Sequence, residues 1–187
     1  IEKNIFAEEE IKICGIGTLK KSKGFDRLLR IHKRLRKDAY PVHTYILGKG
    51  PELKNLKKIV KELQIEESVT FLGYKKNPYK YLKNSDIFAC TSFAEGFSTA
   101  ATEALILGRA VCTVEVSGMQ EMLGKNNEYG IITENEEEEF YKGLKLLVKN
   151  KEKLQYYKKQ ATIRGKQFNT ENTVNKVEEL FLEILGE

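Results

Sequence analysis

Short apolar runs alternate along the chain with longer stretches whose apolar residues recur at helical spacing. Ile11–Gly17 is a strand candidate ending in glycine. Gly24–Lys37 follows, with Phe25, Leu28, Leu29, Ile31, His32 and Leu35 on one helical face. Val42–Leu47 predicts the next strand, closed by Gly48-Lys49-Gly50-Pro51. Pro51 suits a first helical turn, and that helix is expected to reach Leu63. The alternation continues with a strand at Val69–Leu72, a helix at Pro78–Asn84, a strand at Asp86–Thr91 and a helix at Ser98–Leu107. Gly108 is placed to cap this last helix. Ala110–Val116 and Tyr129–Thr133 read as strands, with a helical turn at Met119–Leu123 between them. Glu136–Val148, Lys151–Phe168 and Glu171–Leu185 complete the chain as helices. Six strands alternating with helices predict right-handed crossovers and one parallel sheet, a three-layer α/β fold. The strand runs are almost continuously apolar, as expected of a sheet covered on both faces.

In such sheets ligands bind beyond the carboxyl ends of the strands, where the strand order reverses. That singles out the loops after Gly17, Gly48, Gly73, Ser92 and Val116. The 187 residues suit one domain, and no second boundary is visible. A net charge of +5 with interspersed Lys and Glu reads as a solvated surface, compatible with an anionic ligand or an anionic membrane surface. No basic stripe with interleaved aromatics points to nucleic acid. No apolar run is long enough to cross a bilayer. The opening IEKNIFAEEE lacks the apolar core of a signal peptide, and the chain begins at Ile1 as an excised fragment would. Cys14, Cys90 and Cys112 each lie in an apolar strand run, without metal-ligand spacing, and read as small buried hydrophobes. His32 and His43 read as structural or surface residues. The acidic run Glu134–Glu139 is expected to cap a helix and fill its first turn.

Two segments carry candidate chemistry. Gly17–Asp26 (GTLKKSKGFD) leads from a strand through lysines into a helix start. Free N–H groups there, with the charge of Lys23, suit a phosphate; the alternative is an ordinary loop with solvated lysines. It matches neither the P-loop nor the GxGxxG pattern. Ser92–Leu105 (SFAEGFSTAATEAL) places Glu95 in a loop and Glu103 in the second turn of the following helix. Helical side chains lean toward the N-terminus, so Glu103 can reach back to the cleft that Glu95 faces. A carboxylate there suits ribose hydroxyls, and the backbone of Gly96–Thr99 suits phosphate or sugar oxygens. From the residues alone, the leading alternative is an exposed loop glutamate and a helix-surface glutamate, and a hydrolase acid–nucleophile pair is a further one.

Glu95-x7-Glu103 within SFAEGFSTAATEALILGRAV resembles the signature of family-four retaining glycosyltransferases. ICGIGTLKKSKGFDRLL, YILGKGPELKNLKKIVKEL, VTFLGYKKNPYKYLKNSDIFACTS and SGMQEML resemble further segments of the same family, in order, over roughly Ile11 to Ile132. The resemblance implies a Rossmann-like domain, one half of the two-domain GT-B fold, with the acceptor-binding N-terminal domain absent from this chain. It implies a UDP- or GDP-sugar donor, no metal or other cofactor, and retention of anomeric configuration. By the same resemblance Glu103 binds the donor ribose, Glu95 lies near the donor sugar, and Lys23 neutralises the diphosphate. Gly96, Phe97, Ser98 and Thr99 form the turn at the sugar and diphosphate. Gly73 and Tyr74 lie beside the base, with Gly48 and Gly50 in the neighbouring loop. Many family members carry arginine directly after the glycine at position 17. Here Thr18 keeps a donor and loses the charge, so neutralisation rests more on Lys23 and helix dipoles.

The family also suggests bacterial cell-surface polysaccharide assembly, in the cytoplasm, with the parent enzyme in peripheral contact with the inner face of the membrane. A sugar-nucleotide epimerase of the same architecture and a non-catalytic nucleotide-binding module are the rival readings. The isolated chain is expected to bind donor and to transfer sugar poorly or not at all.

Overall fold

The structure, a computed structural model, describes residues 9–168. The helix expected at Glu171–Leu185 lies outside these residues. Six parallel strands form one sheet: β1 (Ile11–Ile16), β2 (Val42–Leu47), β3 (Val69–Gly73), β4 (Ile87–Cys90), β5 (Ala110–Val114) and β6 (Ile131–Thr133). Their order is β3-β2-β1-β4-β5-β6. The chain builds outward from β1 in one direction, then returns to its other side with β4, so the order reverses between β1 and β4. The helices are α1 (Phe25–Lys37), α2 (Leu53–Glu62), α3 (Tyr79–Lys83), α4 (Thr99–Ile106), α5 (Met119–Leu123), α6 (Glu137–Lys149) and α7 (Lys151–Gly165).

Successive strand residues point to opposite faces, and the core divides accordingly. Ile13, Ile46, Ile87 and Cys112 pack with Leu28 and Leu35 of α1, Leu56 of α2 and Leu144 of α6. Cys14, Tyr45, Phe88 and Val111 pack on the other face with Leu82 of α3, Leu105 of α4 and Met122 of α5. Helix α7 contributes Leu154 to the first cluster and Ala161 to the second. The three-layer arrangement expected from the alternation is therefore present. All six α1 positions assigned to its apolar face are buried.

The ends of elements differ from their sequence reading where a local bond decides. Pro51 and Glu52 form a turn, and α2 starts at Leu53. Ser98 is the cap of α4, its Oγ accepting from Ala101 N at 3.3 Å. Two 3-10 turns, Lys21–Lys23 and Glu66–Ser68, carry no periodicity that could announce them. Strand β6 begins at Ile131, two residues later than expected. Gly108 adopts the left-handed conformation after α4, and Glu137, Glu138 and Glu139 fill the first turn of α6, both as anticipated.

Both histidines are structural. His32 is fully buried, with Nδ1 2.8 Å from Thr44 Oγ1 and Nε2 2.8 Å from Ser68 Oγ. His43 stacks on Tyr45 and bonds Thr70 Oγ1 at 2.8 Å. Burial lowers the His32 pKa to about 3. The folded state thus refuses a proton that the unfolded chain takes up below about pH 6.5. The stability from neutral His32 is complete above that pH and is lost as pH falls toward 3, at up to about 1.4 kcal/mol per pH unit. Urea unfolding between pH 7 and pH 5 checks this: the wild type should lose more stability over that window than His32→Gln. Equal losses would contradict it.

Candidate functional site

The carboxyl ends of β1, β2, β3 and β4 open on one cleft of about 720 Å³. Gly17 and Thr18 follow β1, Gly48, Lys49 and Gly50 follow β2, and Tyr74 and Lys75 follow β3, all on its wall. Glu95 lies in the loop after β4, and Phe97, Ser98, Thr99, Ala100 and Glu103 bring in the start of α4. Helix N-termini leave backbone N–H groups without helical acceptors, so α4 offers donors to a bound anion.

At the β1–β4 crevice Lys23 Nζ and Glu95 Oε1 are 2.5 Å apart, across 72 positions of sequence. Ser92 Oγ donates to the same oxygen at 2.6 Å. The two side chains are only 22% and 11% exposed, so the pair is shielded more than a surface ion pair. The two segments are also joined through their backbones. Phe93 N donates to Ser22 O at 2.8 Å, and Thr91 Oγ1 donates to Gly24 O at 2.9 Å.

Glu103 sits on the same cleft, half-buried, and accepts from the Tyr79 hydroxyl at 3.4 Å. Burial raises its carboxyl above the usual range, with the Tyr79 bond acting in the opposite direction. If Glu103 holds ligand hydroxyls as a carboxylate, affinity must fall as pH drops through this raised pKa. For such a ligand the loss should begin above the ordinary glutamate value of about 4.3. Tyr79→Phe should move it to still higher pH, because the opposing bond is gone. Titrations from pH 7.5 to 5 check this; a shift to lower pH in Tyr79→Phe would contradict it.

Two further cations line the cleft. Lys49 Nζ lies 5.3 Å from the centre of the Tyr74 ring, and Lys75 Nζ 5.4 Å from that of Tyr81. Neither has a carboxylate at ion-pair distance among the described residues. Lys23 is thus the lysine of the cleft that has a carboxylate partner, and Lys49 and Lys75 are the two without one among the described residues.

Most of the residues singled out from sequence converge here: Gly17, Thr18, Lys23, Gly48, Gly50, Tyr74, Glu95, Phe97, Ser98, Thr99 and Glu103 all line the cleft. Gly73 and Gly96 do not line it. Gly73 ends β3, where its carbonyl accepts from Gly48 N at 3.0 Å, and a Cβ added at Gly96 would meet nothing within 4 Å among the described residues. Lys49, Lys75, Pro78 and Cys90 were not foreseen. Lys49 had a signal in its place between two glycines after a strand; Lys75 and Pro78 had none. Cys90 is buried, as expected of a strand cysteine, but it ends β4 and so forms part of the cleft floor. All three cysteines are free, and burial pushes the thiols of Cys14 and Cys112 upward.

The strand order and the cleft at its reversal point define a Rossmann-like α/β domain. Residues 1–164 match the family model described as Glycosyl transferases group 1, and the chain belongs to that family. Among curated relatives, it is 37% identical over 159 residues to a Campylobacter jejuni protein, covering 84% of this chain and 42% of that one. That relative is named N-acetylgalactosamine-N,N'-diacetylbacillosaminyl-diphospho-undecaprenol 4-alpha-N-acetylgalactosaminyltransferase. An uncharacterized glycosyltransferase of Haemophilus influenzae is 35% identical over 154 residues, covering 81% of this chain and 44% of its own length. The chain thus spans less than half the length of these relatives. Among solved structures, the fold is similar to Anabaena HepE in complex with UDP, with a TM-score of 0.82 at 20% identity, over 93% of this chain and 49% of that one. A mutant of S. aureus TarM in complex with Fondaparinux, alpha-GlcNAc-glycerol and UDP also gives 0.82, at 23% identity over 92% of this chain and 35% of that one. No helix among the described residues is long and apolar enough to cross a membrane.

Proposed function

We propose that this chain is the donor-binding domain of a retaining glycosyltransferase and holds a UDP-sugar in the cleft beyond β1–β4. The observation that carries the reading is the Lys23–Glu95 pair at the reversal point, on the same cleft as Glu103. A nucleoside diphosphate sugar has a hydroxyl-bearing ribose, an anionic middle and a neutral sugar. The cleft lining supplies a group for each part on this reading: Tyr74 for the base, Glu103 for the ribose hydroxyls, and Lys23 with the α4 N-terminus for the diphosphate. Glu95 then faces the donor sugar. UDP is favoured as the nucleotide because structures of the same fold contain it.

Donors aimed at the departing diphosphate stabilise the charge that develops as the sugar leaves. On this reading Lys23 is the chief cation acting there and Glu95 the group nearest the sugar; the residues named need no metal for these roles. The acceptor belongs to the domain missing from this chain, in keeping with relatives more than twice as long. The C. jejuni relative's name describes an alpha-linked product on a diphospho-undecaprenol acceptor. An alpha-linked donor gives an alpha-linked product by retention. A lipid-linked acceptor of that kind would bring the whole enzyme to the cytoplasmic face of a membrane for cell-surface polysaccharide assembly.

Product analysis of the longer protein with a UDP-sugar and a lipid-diphosphate acceptor tests this. The expected product carries the sugar with unchanged anomeric configuration, read from its NMR coupling. The isolated chain should bind UDP and, given a UDP-sugar and acceptor, transfer sugar poorly or not at all. An isomerised sugar nucleotide would establish an epimerase instead, and an inverted product would end the retaining assignment.

A further inference from the structure

Arg27 stands in the first turn of α1 and outside the cleft lining. Its position is unfavourable for a cation on three counts. The residue is 3% exposed, no carboxylate lies at ion-pair distance among the described residues, and the N-terminal end of a helix repels positive charge. Its Nε has no hydrogen-bond partner among the described residues. Burial lowers its pKa, against the more distant carboxylates of Glu137, Asp26 and Glu136. A buried charge without a counter-ion weakens a fold, so packing alone does not account for an arginine here.

What the guanidinium touches does. Nη2 donates to Thr91 O at 2.5 Å and to Asn135 Oδ1 at 2.9 Å, and Nη1 donates to Asn135 O at 3.2 Å. Its Cζ lies 4.4 Å from the centre of the Phe93 ring. Asn135 Nδ2 donates to Phe93 O at 3.4 Å, which closes the ring of contacts. Thr91 and Phe93 are the residues whose bonds to Ser22 and Gly24 join the two halves of the site. The segment so held, 91–93, leads directly into Glu95, and the segment it is held against, 22–24, contains Lys23.

We propose that Arg27 is a positioning residue for the diphosphate end of the cleft. With Asn135 it clamps the backbone of Thr91–Phe93 onto the Ser22–Gly24 turn, and this sets Lys23 and Glu95 at their working separation. The planar fork matters as well as the charge, because a lysine ammonium cannot reproduce a guanidinium's spaced bonds to Thr91 O and Asn135 while lying flat on a ring. The inference rests on the donor-site reading above.

The test is an NMR titration of the chain with UDP and with uridine, in wild type, Arg27→Lys, Arg27→Gln and Asn135→Ala. Both Arg27 variants should bind UDP about tenfold more weakly, as a displaced charged contact requires. Uridine, which lacks the diphosphate, should bind all four proteins alike. Asn135→Ala should lose UDP affinity in the same sense by a smaller factor. A purely structural role would weaken both ligands in proportion. That result, or wild-type UDP affinity in folded Arg27→Lys, would overturn the inference. If the Arg27 variants do not fold, Asn135→Ala decides: a loss confined to UDP supports the clamp, and unchanged binding refutes it. A wild type that does not bind UDP refutes the donor-site reading and this inference with it, an outcome distinct from variants that bind as well as wild type.

Discussion

Lys23→Ala should weaken UDP binding by roughly ten- to a hundredfold, the loss of one charged hydrogen bond worth about 1.5–3 kcal/mol. The effect is large because the pair is shielded and because its loss acts twice. On the proposed reading, the ammonium that meets the diphosphate disappears. The Glu95 carboxylate, 11% exposed, is left without its cation beside an anionic ligand. Glu95→Gln should act in the opposite sense on UDP, matching or exceeding wild-type affinity, since it frees Lys23 and removes a repelling charge. In the longer protein the same change should lower turnover if, as proposed, Glu95 faces the sugar that UDP lacks. In the double variant the Lys23→Ala loss should be partly recovered, which a double-mutant cycle would show as a coupling between the two residues. Calorimetric titration of the four proteins with UDP is sufficient. Lys23→Ala with unchanged affinity would remove Lys23 from the site.

Gly48→Ala should give the largest loss of stability, about 3–5 kcal/mol, because two unfavourable terms coincide. The residue has φ +145°, a conformation that side chains oppose, and an added Cβ would lie 1.8 Å from Gly17 O. That oxygen belongs to backbone and cannot swing away. The neighbouring bonds, Gly17 N to Leu47 O and Gly48 N to Gly73 O, each 3.0 Å, tie together the ends of β1, β2 and β3. Any relief of the clash must therefore distort the cleft wall. Gly73→Ala is the matched comparison: φ is +68°, and an added Cβ meets nothing within 4 Å among the described residues. Its cost should be the conformational term alone, about 1 kcal/mol. Thermal melts should place Gly48→Ala roughly 10 °C below wild type, with Gly73→Ala only a few degrees below. Equal losses would mean that the close approach of Gly48 to Gly17 does not matter.

The layers of this fold were legible because strands covered on both faces leave unbroken apolar runs, and helices covered on one leave a period. The α1 face from Phe25 to Leu35 is an example. Strand order is not a local property, and only the rule about reversal points directed attention to the right loops. Glu95 and Glu103 could be placed on one cleft because a single short stretch of chain contains both. The contact between Lys23 and Glu95 spans 72 positions, and those between Arg27 and Asn135 span 108. Such partners leave no trace in spacing. Arg27 looked like one more charge in a basic helix, and only burial distinguishes it from Arg30 and Arg34, which pair with Glu137 and Glu138 in the open. Cys90 shows the reverse limit. An apolar strand pattern marks it as interior, but whether that interior is core or cleft floor depends on where the strand stops.

Donor binding is tested most directly by the melting temperature of this chain with millimolar UDP, GDP, ADP and inorganic phosphate. A ligand that binds only the folded state stabilises it by about 1.4 kcal/mol at ten times its Kd. Donor binding in this cleft should give a rise with a nucleoside diphosphate, greatest for UDP, that is absent in Glu103→Ala and reduced in Lys23→Ala. A well-folded chain whose melting ignores all three nucleotides, or moves as far with inorganic phosphate alone, would contradict it.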